Sequence, residues 1–160
     1  MMGFLRKADP ATIFGELGRF GDRSRAYFHP RFVDVHRTSG EANAVGSTIR
    51  YDLLLRWLSF SIVLEQAVAS RYLLYHVRDG FAQGGLLVFD VEPRGEGLSL
   101  LSVYLAFRFP AGSSALRRLA WRAGARLFPA FAHDVLWNHG LCELKHAVET
   151  AGQRHPAEVP

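Results

Sequence analysis

Only one cysteine, Cys142, occurs in 160 residues. No intramolecular disulfide can form, so stability must come from packing. The lone cysteine fits a reducing compartment, and a cytoplasmic protein is expected. Long apolar runs are also missing. The longest, Trp57 to Val68, contains Glu65 and falls short of the roughly 18 residues needed to span a bilayer. The first ten residues, MMGFLRKADP, have no apolar centre of the kind a signal peptide carries. There are no internal repeats, no low-complexity segment and no nucleophile-elbow sequence. Gly84-Gly85 lacks the strand-to-helix context of a phosphate loop and reads as a bulge or turn.

What remains is ordinary globular composition. Hydrophobic residues make up 49% and charged residues 21% of the chain, enough for one domain with a substantial core. Residues 1–150 are expected to form that domain, and 151–160, with two prolines, a disordered tail. The net charge is +4, and Arg117, Arg118, Arg122 and Arg126 supply much of the excess at helical spacing. They read as a solvated helix face, with transient membrane-surface contact as the functional alternative. Aromatics are not interleaved with these arginines, so a nucleic-acid partner is not expected.

Along the chain, Asp9-Pro10 marks a helix start, since aspartate caps free amides and proline suits the first helical position. Ile13, Phe14 and Leu17 give that helix an apolar stripe, which Gly18 and Gly21 end near Phe20. A second short helix is expected over Asp22 to Phe28, and a strand over Arg31 to Arg37. Strand-like segments then follow at Ser47–Leu55, Ser59–Val68, Tyr72–Arg78, Leu86–Glu92 and Leu98–Phe109. Turn signals separate them, among them Asp79-Gly80 and a loop at Pro93–Gly97.

Period-two alternation assigns the faces. Leu87, Phe89 and Val91 should point inward, as should Leu101, Val103, Leu105 and Phe107. Tyr51, with Ile49 and Leu53, and Tyr75 fall on inner faces by the same reasoning. A long helix is expected from Ala115 to Glu149, kinked or divided at Pro129. One of its faces carries Ala130, Asp134, Trp137, Leu141 and Val148. Cys142 is expected to be a small core residue.

The order of elements resembles the START-like helix-grip superfamily, which includes the birch-pollen-allergen family, polyketide cyclases and dehydratases, and lipid-transfer domains. The carriers are Ala8-Asp9-Pro10-Ala11-Thr12-Ile13-Phe14, similar to the common opening helix, and Val45-Gly46-Ser47-Thr48-Ile49-Arg50-Tyr51, similar to a G-x-x-x-x-Y strand entry. The resemblance covers residues 8–149. It implies an α+β helix-grip fold: a curved antiparallel sheet wrapped around a long C-terminal helix, with two short helices near the N-terminus. One departure is the opening strand, for which only Met1 to Lys7 is available. A missing strand there would expose a sheet edge, for which a homodimer is one remedy.

The resemblance also implies a hydrophobic small molecule, such as a lipid, isoprenoid or polyketide, held between sheet and helix. Lining candidates are Tyr51, Tyr75, Phe89, Val103, Leu105, Phe107, Phe131 and Trp137. An alternative is a cyclase or dehydratase in the same cavity, with Asp134 moving a proton and Tyr51 or Tyr75 orienting a carbonyl. A further alternative is an interaction module without a cavity. His139, Glu143 and His146 share a helix face, but their spacing is not that of a zinc-binding H-E-x-x-H helix. No metal and no cofactor are expected. His76 and Arg78 read as outer-face residues.

Overall fold

The computed structural model describes residues 2–25, 27–28, 32–53, 58–95, 97–107 and 137–153. Asp9 begins the first helix, α1 (Pro10–Gly18), as its sequence dictates. Its carboxylate accepts from the Thr12 amide at 3.0 Å and from the Thr12 hydroxyl at 2.6 Å. A single 3-10 turn, Arg19–Gly21, continues α1 directly.

This turn is the second short helix; residues 22–25 and 27–28 are not helical. Two side-chain bonds explain the difference. The Asp22 carboxylate takes the Ser24 amide at 3.1 Å, which offers the backbone a turn in place of a helix. The Tyr27 hydroxyl donates to the Glu16 carboxylate at 2.6 Å, drawing the chain back against α1.

Among the described residues, seven strands form one antiparallel sheet: β1 (Met2–Lys7), β2 (Val33–Ser39), β3 (Thr48–Leu53), β4 (Leu58–Val68), β5 (Tyr72–Val77), β6 (Leu86–Gly95) and β7 (Leu98–Ala106). Their order is β1-β7-β6-β5-β4-β3-β2. The short N-terminal segment does form a strand and pairs along its length with β7, from Met2 opposite Val103 to Lys7 opposite Leu98. Register shifts at Arg37/Ser39, Leu64/Gln66 and Pro93/Gly95 bend the sheet, because a bulge adds twist where it interrupts pairing. The last of these carries β6 into the expected loop: Pro93 still faces Ser99, and Gly95 faces Leu98.

Alternation sorts the faces as period two requires. Ile49 and Tyr51, Phe60, Ile62 and Leu64, Leu73, Tyr75 and Val77, Leu87, Phe89 and Val91, and Leu101 and Val103 are all buried. Over this face lie Ile13 and Leu17 of α1 and the stripe Leu141, Leu144 and Val148 of the C-terminal helix, α2 (Asn138–Gln153). α2 packs on α1 and also reaches β1. Each fully buried leucine, isoleucine or phenylalanine contributes about 1.5–3 kcal/mol relative to exposure, so this layer is the principal source of stability. Cys142 is exposed, contrary to expectation. It lies about 100° around the helix from Leu141, off the stripe that meets the sheet. The first part of the expected closing helix, including Pro129 and the four arginines, lies outside the described residues.

Candidate ligand-binding site

Two rows of rings cross the inner face and meet at Phe28. In one, the edge of Phe28 meets Tyr51 at 6.2 Å, and Tyr51 stacks on Phe60 at 4.9 Å with the planes 3° apart. Phe60 then meets Phe81 at 5.4 Å and Phe107 at 5.8 Å. In the other row, Phe28 meets Phe20 at 5.8 Å, Phe20 meets Phe89 at 5.5 Å, and Phe89 meets Tyr75 at 6.2 Å. Trp137, at the entry to α2, contacts Phe28 edge-on at 5.6 Å. Offset and edge-to-face arrangements suit the ring quadrupoles and add modestly to the apolar burial.

Strand pairing places these rings. Tyr51 sits opposite Phe60 on one side and Val35 on the other. Leu73 is opposite Phe89, and Phe89 is opposite Val103. Of the expected lining residues, Tyr51, Tyr75, Phe89 and Val103 are buried on the inner face, and Leu105, Phe107 and Trp137 are partly buried against it. Phe131 and Asp134 lie outside the described residues. Sequence reasoning did not single out Phe20, Phe28, Phe60 or Phe81. Phe60 was accessible to it, since Phe60, Ile62 and Leu64 alternate in β4. Phe28 was not, because it lies in no strand or helix.

Among the described residues, the polar groups on this face are few. Tyr51 is 4% exposed, and its buried hydroxyl has no hydrogen-bond partner among the described residues. Burial pushes its ionisation far above the usual tyrosine value, and the nearby Tyr75 adds to the effect. Burial likewise pushes Tyr75 up to about 12, with Arg37 pulling weakly the other way. Arg37 shares the inner face of β2 with Val35 and Val33. Its guanidinium donates to the Gly18 carbonyl and, at 3.1 Å, to the Glu41 carbonyl.

Beside Phe28, between the 3-10 turn and the edge strand β2, lies a pocket of about 120 Å³. Phe20, Tyr27, Phe28, Val33 and Val35 line it, with Arg23, Arg25 and Asp34. The buried Glu16 anchors its wall. Its carboxylate takes the Tyr27 hydroxyl and lies 3.5 Å from Arg19 and 3.6 Å from Arg25. Phe28 therefore lines the pocket on one side and touches Tyr51 on the other.

On the opposite face of the β2–β3 pair from Val35 and Tyr51, Asp34, His36 and Asp52 bring one ligand atom each within 4.8 Å of the others. Asp34 faces Asp52 across the β2–β3 pair. Arg50 already binds the Asp52 carboxylate at 3.0 Å and Ser59 at 3.1 Å, so a cation would compete with a guanidinium. His139, Glu143 and His146 are exposed on α2, and His76 lies half-exposed on the outer face, 3.6 Å from Glu65. Among the described residues, no helix is long and apolar enough to cross a membrane.

No family model matches the chain, and no curated protein matches it. Solved structures do. A protein from Thermobifida fusca superposes with a TM-score of 0.65 at 16% identity, over 93% of this chain and 91% of that one. A START superfamily protein from Mycobacterium smegmatis gives 0.61 at 16% identity, over 94% and 96%. The protein Ara h 8.0201 gives 0.60 at 10% identity, over 93% and 95%. At these identities the likeness is one of fold, and it extends over nearly the whole of each chain.

Proposed function

We propose that this chain, which has the START-like helix-grip fold, binds and carries a hydrophobic small molecule between the inner face of its sheet and its C-terminal helix. The observation that carries the reading is the Phe28 junction. Two rows of rings on the inner face meet there, a pocket opens beside it, and Tyr51 brings a buried hydroxyl without a partner among the described residues. Small-molecule sites are built this way, mostly apolar with a few polar groups that fix orientation. Tyr51, Tyr75, Phe89, Val103, Leu105, Phe107, Phe131 and Trp137 line the site in this reading, together with Phe28. The molecule is lipid-, isoprenoid- or polyketide-like, and the protein works in the cytoplasm.

The test is native mass spectrometry of gently purified protein, with a thermal-shift panel of fatty acids, isoprenoid alcohols and polyphenols. A co-purified adduct, or a melting point that rises in proportion to the logarithm of probe concentration, supports the reading. Absence of both an adduct and any shift across the panel overturns it.

A further inference from the structure

We propose that the bound molecule presents a neutral hydrogen-bond-accepting oxygen, a carbonyl, to the Tyr51 hydroxyl. The proposal rests on the binding reading above and specifies the chemistry of its ligand.

Tyr51 cannot easily turn away. Its ring is sandwiched against Phe60 and edged by Phe28, and its backbone is paired on both sides, to Val35 and to Phe60. The hydroxyl therefore stays in the apolar layer, where it has no partner among the described residues. Buried hydroxyls are nearly always bonded, because an unsatisfied donor keeps its full desolvation cost. Phenylalanine would fill the same slot without that cost.

The group is also a donor by chemistry. Burial holds it in the O–H form well past any physiological pH. Tyr75, a second buried tyrosine on the inner face, is likewise held in its O–H form by burial. Two neutral O–H groups on an apolar wall suit an uncharged oxygen acceptor and give no charge compensation to an anion. Among the described residues, the inner-face cation Arg37 is already committed to the Gly18 and Glu41 carbonyls.

The experiment uses two probes that differ by one carbonyl oxygen, 2-acetylnaphthalene and 2-ethylnaphthalene, with the wild-type protein and Tyr51→Phe. The wild type should bind the acetyl probe about tenfold more tightly, the effect of satisfying one buried donor. In Tyr51→Phe the preference should fall below about twofold, with affinity for the ethyl probe kept. The carbonyl stretch of bound 2-acetylnaphthalene should move to lower frequency in the wild type and not in the variant. A melting temperature equal to or above that of the wild type shows that the variant is folded. Equal affinities for the two probes in both proteins overturn the inference and leave the binding reading standing. Failure of both probes and of the whole panel removes the binding reading itself, and this inference with it.

Discussion

A Cβ atom built on Gly140 would stand 2.7 Å from Cε1 of Phe28 and 3.1 Å from Cδ1. Glycine in α2 is therefore a condition for seating the helix against the ring that joins the two aromatic rows. On propensity alone, Gly140→Ala should stabilise a helix by about 1 kcal/mol. Here the clash decides the sign, since Phe28 is held by Phe20, Tyr51 and Trp137 and has little room to retreat. Gly140→Ala should destabilise by about 1–3 kcal/mol, the usual cost of overpacking. In a Phe28→Leu background the same change should cost less. Urea unfolding of the four proteins in a double-mutant cycle measures the difference.

Three tyrosines make the fold sensitive to alkali. Burial, reinforced by the Glu16 carboxylate, raises Tyr27, and burial raises Tyr51 and Tyr75. An unfolded tyrosine loses its proton near pH 10. Between that pH and its folded value, the native state holds one more proton than the unfolded chain. Unfolding free energy must then fall as pH rises, by about 1.4 kcal/mol per unit for each tyrosine. The contribution is complete below pH 10 and, for Tyr75, is lost as pH rises to about 12. Urea unfolding at pH 9.5, 10.5 and 11.5 should show the decline, and Tyr75→Phe should make it shallower by one proton's worth. An unchanged slope in that variant would show that Tyr75 ionises normally.

The strands were legible because a half-buried sheet writes period two into its sequence. Tyr51, Tyr75, Phe89 and Val103 all fall on the face that alternation assigned. The Phe28 junction was not legible, because residues 28, 51, 60 and 137 meet only after the chain has folded and no spacing records their approach. Asp22 to Phe28 looks helical by composition, yet side-chain bonds from Asp22 and Tyr27 hold it otherwise. Cys142 illustrates the weight of helical phase. One residue from Leu141 its small apolar type suggested core, and one residue of rotation turned it to solvent.

Gly80 and Gly97 separate two costs that glycine avoids. Both have positive φ, 80° and 71°. At Gly80 an added Cβ would lie 2.0 Å from the Ser59 carbonyl oxygen and 2.7 Å from the Phe60 Cα, both backbone atoms of β4. At Gly97 nothing lies within 4 Å. Gly97→Ala should therefore cost only the left-handed strain, about 1–2 kcal/mol. Gly80→Ala adds displacement of a strand on which Phe60 and the Tyr51 stack depend, so its cost should be at least twice as great. Thermal melts of the two variants give the comparison. Near-equal costs would mean that the turn at Gly80 gives way without disturbing β4.

Phe28 also offers a direct probe of whether the apolar layer can hold a guest. Truncating a buried phenylalanine to alanine costs about 3–5 kcal/mol, part of it the energy of the cavity left behind. At this position the new space would lie next to Tyr51 and would open onto the neighbouring pocket, since Phe28 lines both. A small aromatic that fills the space restores lost contacts and raises the melting temperature by mass action. Phe28→Ala should therefore be less stable than the wild type and should gain more than the wild type does from added indole or benzene. Phe81→Ala removes a ring from the far side of Phe60, away from that pocket. If both truncations respond equally to the guest, rescue is a general property of holes in this core and Phe28 holds no special place in binding. A response confined to Phe28→Ala would place the entry to the site at the junction of the 3-10 turn, β2 and α2.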